Sequence, residues 1–178
     1  MPSSTKAHIA GPPSRLVPTN RHPASLPEIL HELFRIACKA DAYEIHVETF
    51  VYEGRATLSV YDNGCGIDDP RTVLRLGAFG RCETERSDAI ALSSLVGLHT
   101  IVRSGPDETE PGWSATIPPE AWSDKAPITI EPDAGLRGTN ILVAIPIDWR
   151  AGLEEAVAAA ARDLPARVYF HARWKNRR

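Results

Sequence analysis

Tyr61-Asp62-Asn63-Gly64-Cys65-Gly66-Ile67 is a glycine-punctuated turn set directly behind an apolar run. In that run Ala56, Leu58 and Val60 alternate with polar residues, the pattern of a half-buried strand. Two glycines at alternate positions permit positive φ and carry no side chains, so another molecule can approach the backbone closely. A carboxylate at the end of the strand, Asp62, is suited to accept a hydrogen bond from an exocyclic amine, the group that marks adenine. A calcium loop fits poorly, because Gly64 and Gly66 stand where an EF-hand needs oxygen ligands and the closing glutamate is absent.

On the amino-terminal side, Ile45, Val47, Thr49 and Val51 also alternate, and Glu53-Gly54 separates them from the next run, which predicts an antiparallel hairpin. Further back, Ser25-Leu26-Pro27-Glu28 is a capping-box pattern. Ile29, Leu30, Leu33, Phe34 and Ala37 then recur at helical spacing through about Ala40. On the carboxyl-terminal side, Pro70 opens a short helix through about Leu76, residues 77–87 form a loop, and a second buried helix capped by Ser87 carries Ala89, Ile90, Leu92, Ser93 and Val96. His99 to Arg103, Trp113 to Ile117, Ile128 to Ile130 and Thr139 to Ile147 read as strands. Leu153 to Leu164 reads as an alanine-rich helix and Arg167 to Arg173 as a closing strand. Helices at the start, middle and end of hairpin-connected strands give an α+β fold. It is a two-layer sandwich of a mostly antiparallel mixed sheet covered on one face by helices.

The chain has 178 residues, 43% hydrophobic and 24% charged, which fits one globular domain and excludes collagen-like, disordered and coiled-coil classes. Residues 25–173 make up that domain. Residues 1–24 hold five prolines and no periodic apolar pattern, which predicts a flexible extension, and 174–178 a short basic tail. The net charge is −3, with both ends basic and the body between them acidic, unlike a reader of duplex DNA. Aromatic residues are 7%, too few for a stacking platform for single-stranded nucleic acid. No apolar run is long enough to span a membrane. The three cysteines, Cys38, Cys65 and Cys82, match no zinc or disulfide spacing, which points to a reducing, cytoplasmic setting. His46 and His99 lie in strands as structural histidines, and Trp113, Trp122 and Trp149 flank strand ends as cover for the core.

A strand, Asp-x-Gly-x-Gly-Ile, a helix, a loop, a helix, strands and a late Gly138-Thr139 strand together resemble the GHKL superfamily. Its members include DNA gyrase, large heat-shock chaperones, histidine kinases and MutL-type mismatch-repair ATPases. The resemblance covers about residues 25–173 and implies a Bergerat-type ATP-binding fold. It implies that Glu32 is the general base, that Asp62 binds the adenine amine, and that Gly64, Gly66 and Ile67 lie beneath the base. Gly138 and Thr139 match the last motif, whose threonine supports adenine. Gly80 and Ser87 fall in the lid and phosphate-binding segment. Ser87 to Ser104 follows the MutL-type pattern, whereas Trp113 to Glu120 and the end of the chain look more like the chaperone type, and the two branches stay open.

Two departures qualify what the resemblance implies. The family's magnesium-holding Asn position is Ile36, so magnesium loses a ligand there, and residues 84–90 read Thr-Glu-Arg-Ser-Asp-Ala-Ile where the family is glycine-rich. The implied function is therefore binding of ATP or ADP with slow or absent hydrolysis. The alternative is a pseudo-ATPase that keeps the fold as a module for a protein partner.

Overall fold

The Glu28 carboxylate accepts from both the backbone N–H of Ser25 at 2.7 Å and its hydroxyl at 2.9 Å, closing the start of the first helix as the sequence announces. Helix α1 (Leu26–Lys39) buries Leu26, Ile29, Leu30, Leu33, Phe34 and Ala37 along one face. It ends in a Schellman closure: Ala42 N–H reaches Ala37 O at 3.1 Å and Asp41 N–H reaches Cys38 O at 3.2 Å, with Asp41 at φ 55°. The closure turns the chain sharply into the sheet.

The structure is a computed structural model and describes residues 5–8, 24–52, 55–70, 92–106, 111–122, 127–134 and 136–176. Its strands are β1 (Thr5–His8), β2 (Glu44–Tyr52), β3 (Arg55–Asp62), β4 (Thr100–Gly105), β5 (Pro111–Ile117), β6 (Pro127–Ala134), β7 (Gly138–Ala144) and β8 (Arg167–Asn176). They form one sheet in the order β1-β6-β5-β4-β7-β3-β2-β8. Every neighbouring pair is antiparallel except β2 and β8, which run parallel. Helix α2 (Leu153–Ala161) packs against α1. The fold is thus the expected α+β sandwich. Among the described residues no helix is long and apolar enough to cross a membrane.

Register fixes which side chains meet the helices. Val47 pairs with Val60, Val60 with Ile141 and Ile141 with Val102, so these four point to one side and are buried there. His46, Tyr61, Asn140 and Arg103 form the adjacent row and project to the opposite face. On that face His46 stacks on Tyr169 at 4.9 Å, and its Nδ1 lies 3.4 Å from His171 Nε2, in keeping with a structural role.

Several expected boundaries move. Thr5–His8, inside the stretch read as a flexible extension, pairs with Pro127–Ile130 as the edge strand β1, because main-chain hydrogen bonds to an open edge need no apolar periodicity. Strand β8 runs to Asn176, so the supposed tail from residue 174 is largely strand. Strand β6 extends to Ala134, past the expected Ile130. Strand β7 stops at Ala144, just short of Pro146, and a 3-10 turn over Ile147–Gly152 follows it. Of the helix expected over 89–96, the described part, Leu92–Leu95, is a 3-10 turn, with Gly97 at φ +83° just beyond it. The helix expected from Pro70 and the loop over 77–87 lie outside the described residues from 71 onward.

Candidate functional site

Asp62, Thr139 and Ser104 stand opposite one another on β3, β7 and β4, and Trp113 on β5 continues the row. All four are buried, with Asp62 only 4% exposed, on the helix-covered face of the sheet. The Gly64 N–H donates to Asp62 Oδ1 at 2.9 Å, and the Thr139 N–H also donates to this carboxylate. Burial nevertheless dominates and raises the Asp62 pKa from 3.8 to about 6. A buried carboxylate held, among the described residues, by main-chain donors is an acceptor suited to an amine.

The glycine turn is fixed on three sides. Asn63 Oδ1 accepts from the N–H groups of Tyr43 at 3.1 Å and Glu44 at 3.0 Å. Ala40 O, at the end of α1, accepts from Cys65 N–H at 2.9 Å. A Cβ on Gly64 would lie 2.5 Å from that same oxygen, so the turn and the helix end touch through bare backbone. Ser104 Oγ accepts from Ile67 N–H at 2.8 Å and lies 3.0 Å from Gly138 O and 3.1 Å from Thr139 Oγ1. The Trp113 indole N–H donates to Ile67 O at 2.6 Å.

The structure therefore gathers Asp62, Gly64, Gly66, Ile67, Gly138 and Thr139 into one cluster. Glu32 is held separately from this cluster: its Oε2 accepts from the Ser94 N–H at 3.2 Å. Among the described residues the buried Ser94 hydroxyl has no hydrogen-bond partner. Ile36, one turn after Glu32, packs its partly buried side chain against the hydrophobic core and offers no oxygen to a cation. Among the described residues no group of three His, Cys, Asp or Glu side chains is arranged to hold a metal ion. Gly80 and Ser87 lie outside the described residues.

Sequence reading missed Ser104 and took Trp113 for core cover alone. Neither stands at a spacing that ties it to Asp62; only the strand register brings them to the turn. Cys38, on α1, is partly buried; burial pushes its thiol up and the Asp62 charge acts in the same direction, so it is no activated nucleophile.

No protein-family model matches the sequence, and no curated protein matches it. Among the solved structures that match is the ATPase domain of Aquifex aeolicus MutL complexed with ADP, with a TM-score of 0.58 and 17% sequence identity. The match covers 83% of this chain and 60% of the MutL chain, so this chain spans less than two thirds of that structure's length. At that identity the likeness concerns architecture. The fold of this chain is that of the MutL ATPase domain, the Bergerat fold.

Proposed function

We propose that this chain binds an adenine nucleotide, ATP or ADP, and turns it over slowly or not at all. The observation that carries this reading is the buried Asp62 carboxylate, held by the Gly64 and Thr139 amides in a fold shared with an ADP-bound ATPase domain. Asp62 would accept the exocyclic amine of adenine. Gly64 and Gly66 would let the base approach the backbone, Ile67 would pack against it, and Thr139 would support its edge. Gly80 and Ser87 would serve the phosphates.

Glu32 would act as general base toward water, and the Ser94 N–H donates to one of its oxygens. Ile36 sets the limit on turnover. Magnesium needs oxygen ligands in near-octahedral geometry, and the side chain at this position supplies none. The described residues thus fit a nucleotide base better than a nucleotide–magnesium complex. The same observation favours, as a second reading, a pseudo-ATPase that uses the fold to engage a protein partner in the cytoplasm.

Calorimetric titration with ATP, ADP and a non-hydrolysable analogue, each with and without magnesium, tests the first reading. Micromolar to millimolar binding that Asp62→Asn weakens about tenfold to a hundredfold supports it, the loss expected for one charge-assisted hydrogen bond in a buried site. No binding of any of the three, or equal binding by a folded Asp62→Asn variant, removes it and leaves the interaction module.

A further inference from the structure

We propose that Ser104 and Trp113 are positioning residues of this nucleotide site, joining the turn that faces the base to the strand that faces it from the other side. The proposal rests on the nucleotide reading above and adds two residues to it that do not touch the ligand.

A serine hydroxyl has one proton to give and two lone pairs to offer. Ser104 uses all three. Its proton goes to Gly138 O, one lone pair takes the Ile67 N–H, and the other takes the Thr139 hydroxyl proton. The residue has no exposed surface, so it has no capacity left for a ligand. One side chain thereby connects the 64–67 turn with Gly138 and Thr139.

Trp113 completes the clamp. It is the cross-strand partner of Ser104, and its indole N–H takes the Ile67 carbonyl. Both main-chain polar groups of Ile67 therefore end on side chains from two adjacent strands. Gly66 allows this closeness: at φ +75° its missing Cβ would lie 2.5 Å from Gly105 O and 3.2 Å from Ser104 Oγ. The turn is laid directly on the end of β4, and its height above β7 is set by the Ser104 hydroxyl.

The test is ATP titration of the full chain as wild type, Ser104→Ala, Trp113→Phe, Thr139→Val and the Ser104→Ala/Thr139→Val double variant, each below its own melting temperature. Ser104→Ala should weaken ATP binding about tenfold, the equivalent of one lost hydrogen bond, and Trp113→Phe by about threefold to tenfold while keeping the ring. Because Ser104 and Thr139 share one hydrogen bond, the double variant should lose less than the product of the two single losses. A general loss of fold would instead multiply. Should Ser104→Ala fail to fold, Trp113→Phe carries the test alone. ATP affinity unchanged in the folded single variants, or strictly multiplicative losses, overturns the positioning role and leaves the site. A wild-type chain that binds no ATP overturns the nucleotide reading and this proposal with it.

Discussion

The carbonyl oxygen of Asp62 lies 2.0 Å from the point where a Cβ on Gly138 would sit. Gly138 also holds φ +87°, a conformation that L side chains rarely adopt. Gly138→Ala therefore meets two obstacles at once, backbone strain and collision with β3 at the residue that carries the site's carboxylate. Chemical denaturation should show a loss of roughly 2–4 kcal/mol. A variant as stable as the wild type would show that β3 and β7 are farther apart here.

Asp62 makes stability depend on pH in the sense opposite to most acidic groups. Its pKa rises from 3.8 to about 6 on folding, chiefly through burial, so the folded chain binds the proton more tightly than the unfolded chain. Stability from this group is fully present below about pH 4 and is lost as pH rises through about 6, by at most about 3 kcal/mol. Melting temperatures across pH 4 to 7 should carry this downward slope in the wild type and lack it in Asp62→Asn. Ligand affinity should run the other way and fall below about pH 6, because the amine of adenine favours the ionised carboxylate.

Ile36→Asn returns an oxygen to the helix face one turn after Glu32, at i and i+4. If the rest of the pocket is competent, phosphate release should become dependent on magnesium, and Glu32→Ala in the same background should abolish the gain. The wild type should show little or no magnesium-dependent release. Brisk magnesium-dependent hydrolysis by the wild type would mean that another residue holds the ion.

Removal of residues 1–8 should lower stability, because Thr5–His8 pairs along Pro127–Ile130 and its loss bares the β6 edge. A few main-chain hydrogen bonds correspond to roughly 1–3 kcal/mol, or a fall in melting temperature of about 2–10 °C. Light scattering should also report increased association. An unchanged melting temperature would mean that β1 contributes pairing without stability.

The parts of the fold that were legible from the chain are those where one local pattern decides. Ser25 with Glu28 marks the start of α1, alternation at Ile45 to Val51 and Ala56 to Val60 marks the hairpin, and the Asp62 turn marks the site. Other parts depend on what arrives from far away. Four residues, Thr5–His8, become a strand only because β6 offers an edge. Pro132 and Asp133, past the strand expected at Ile128 to Ile130, lie in β6, where Asp133 binds Arg103. Ser104 is an unremarkable polar residue at the end of a strand until register sets it beside Thr139.

The parallel pairing of β2 with β8 has a consequence for biosynthesis. Ile45 and Val47 leave the ribosome 123 residues ahead of their neighbours on one side, Val168 and Phe170. Until then β2 borders nothing on that flank, and the nascent sheet exposes a template for pairing with other chains. Any pause in translation ahead of Arg167 prolongs that interval, so chaperone demand during synthesis should track the delay before β8 rather than the hydrophobicity of the chain as a whole.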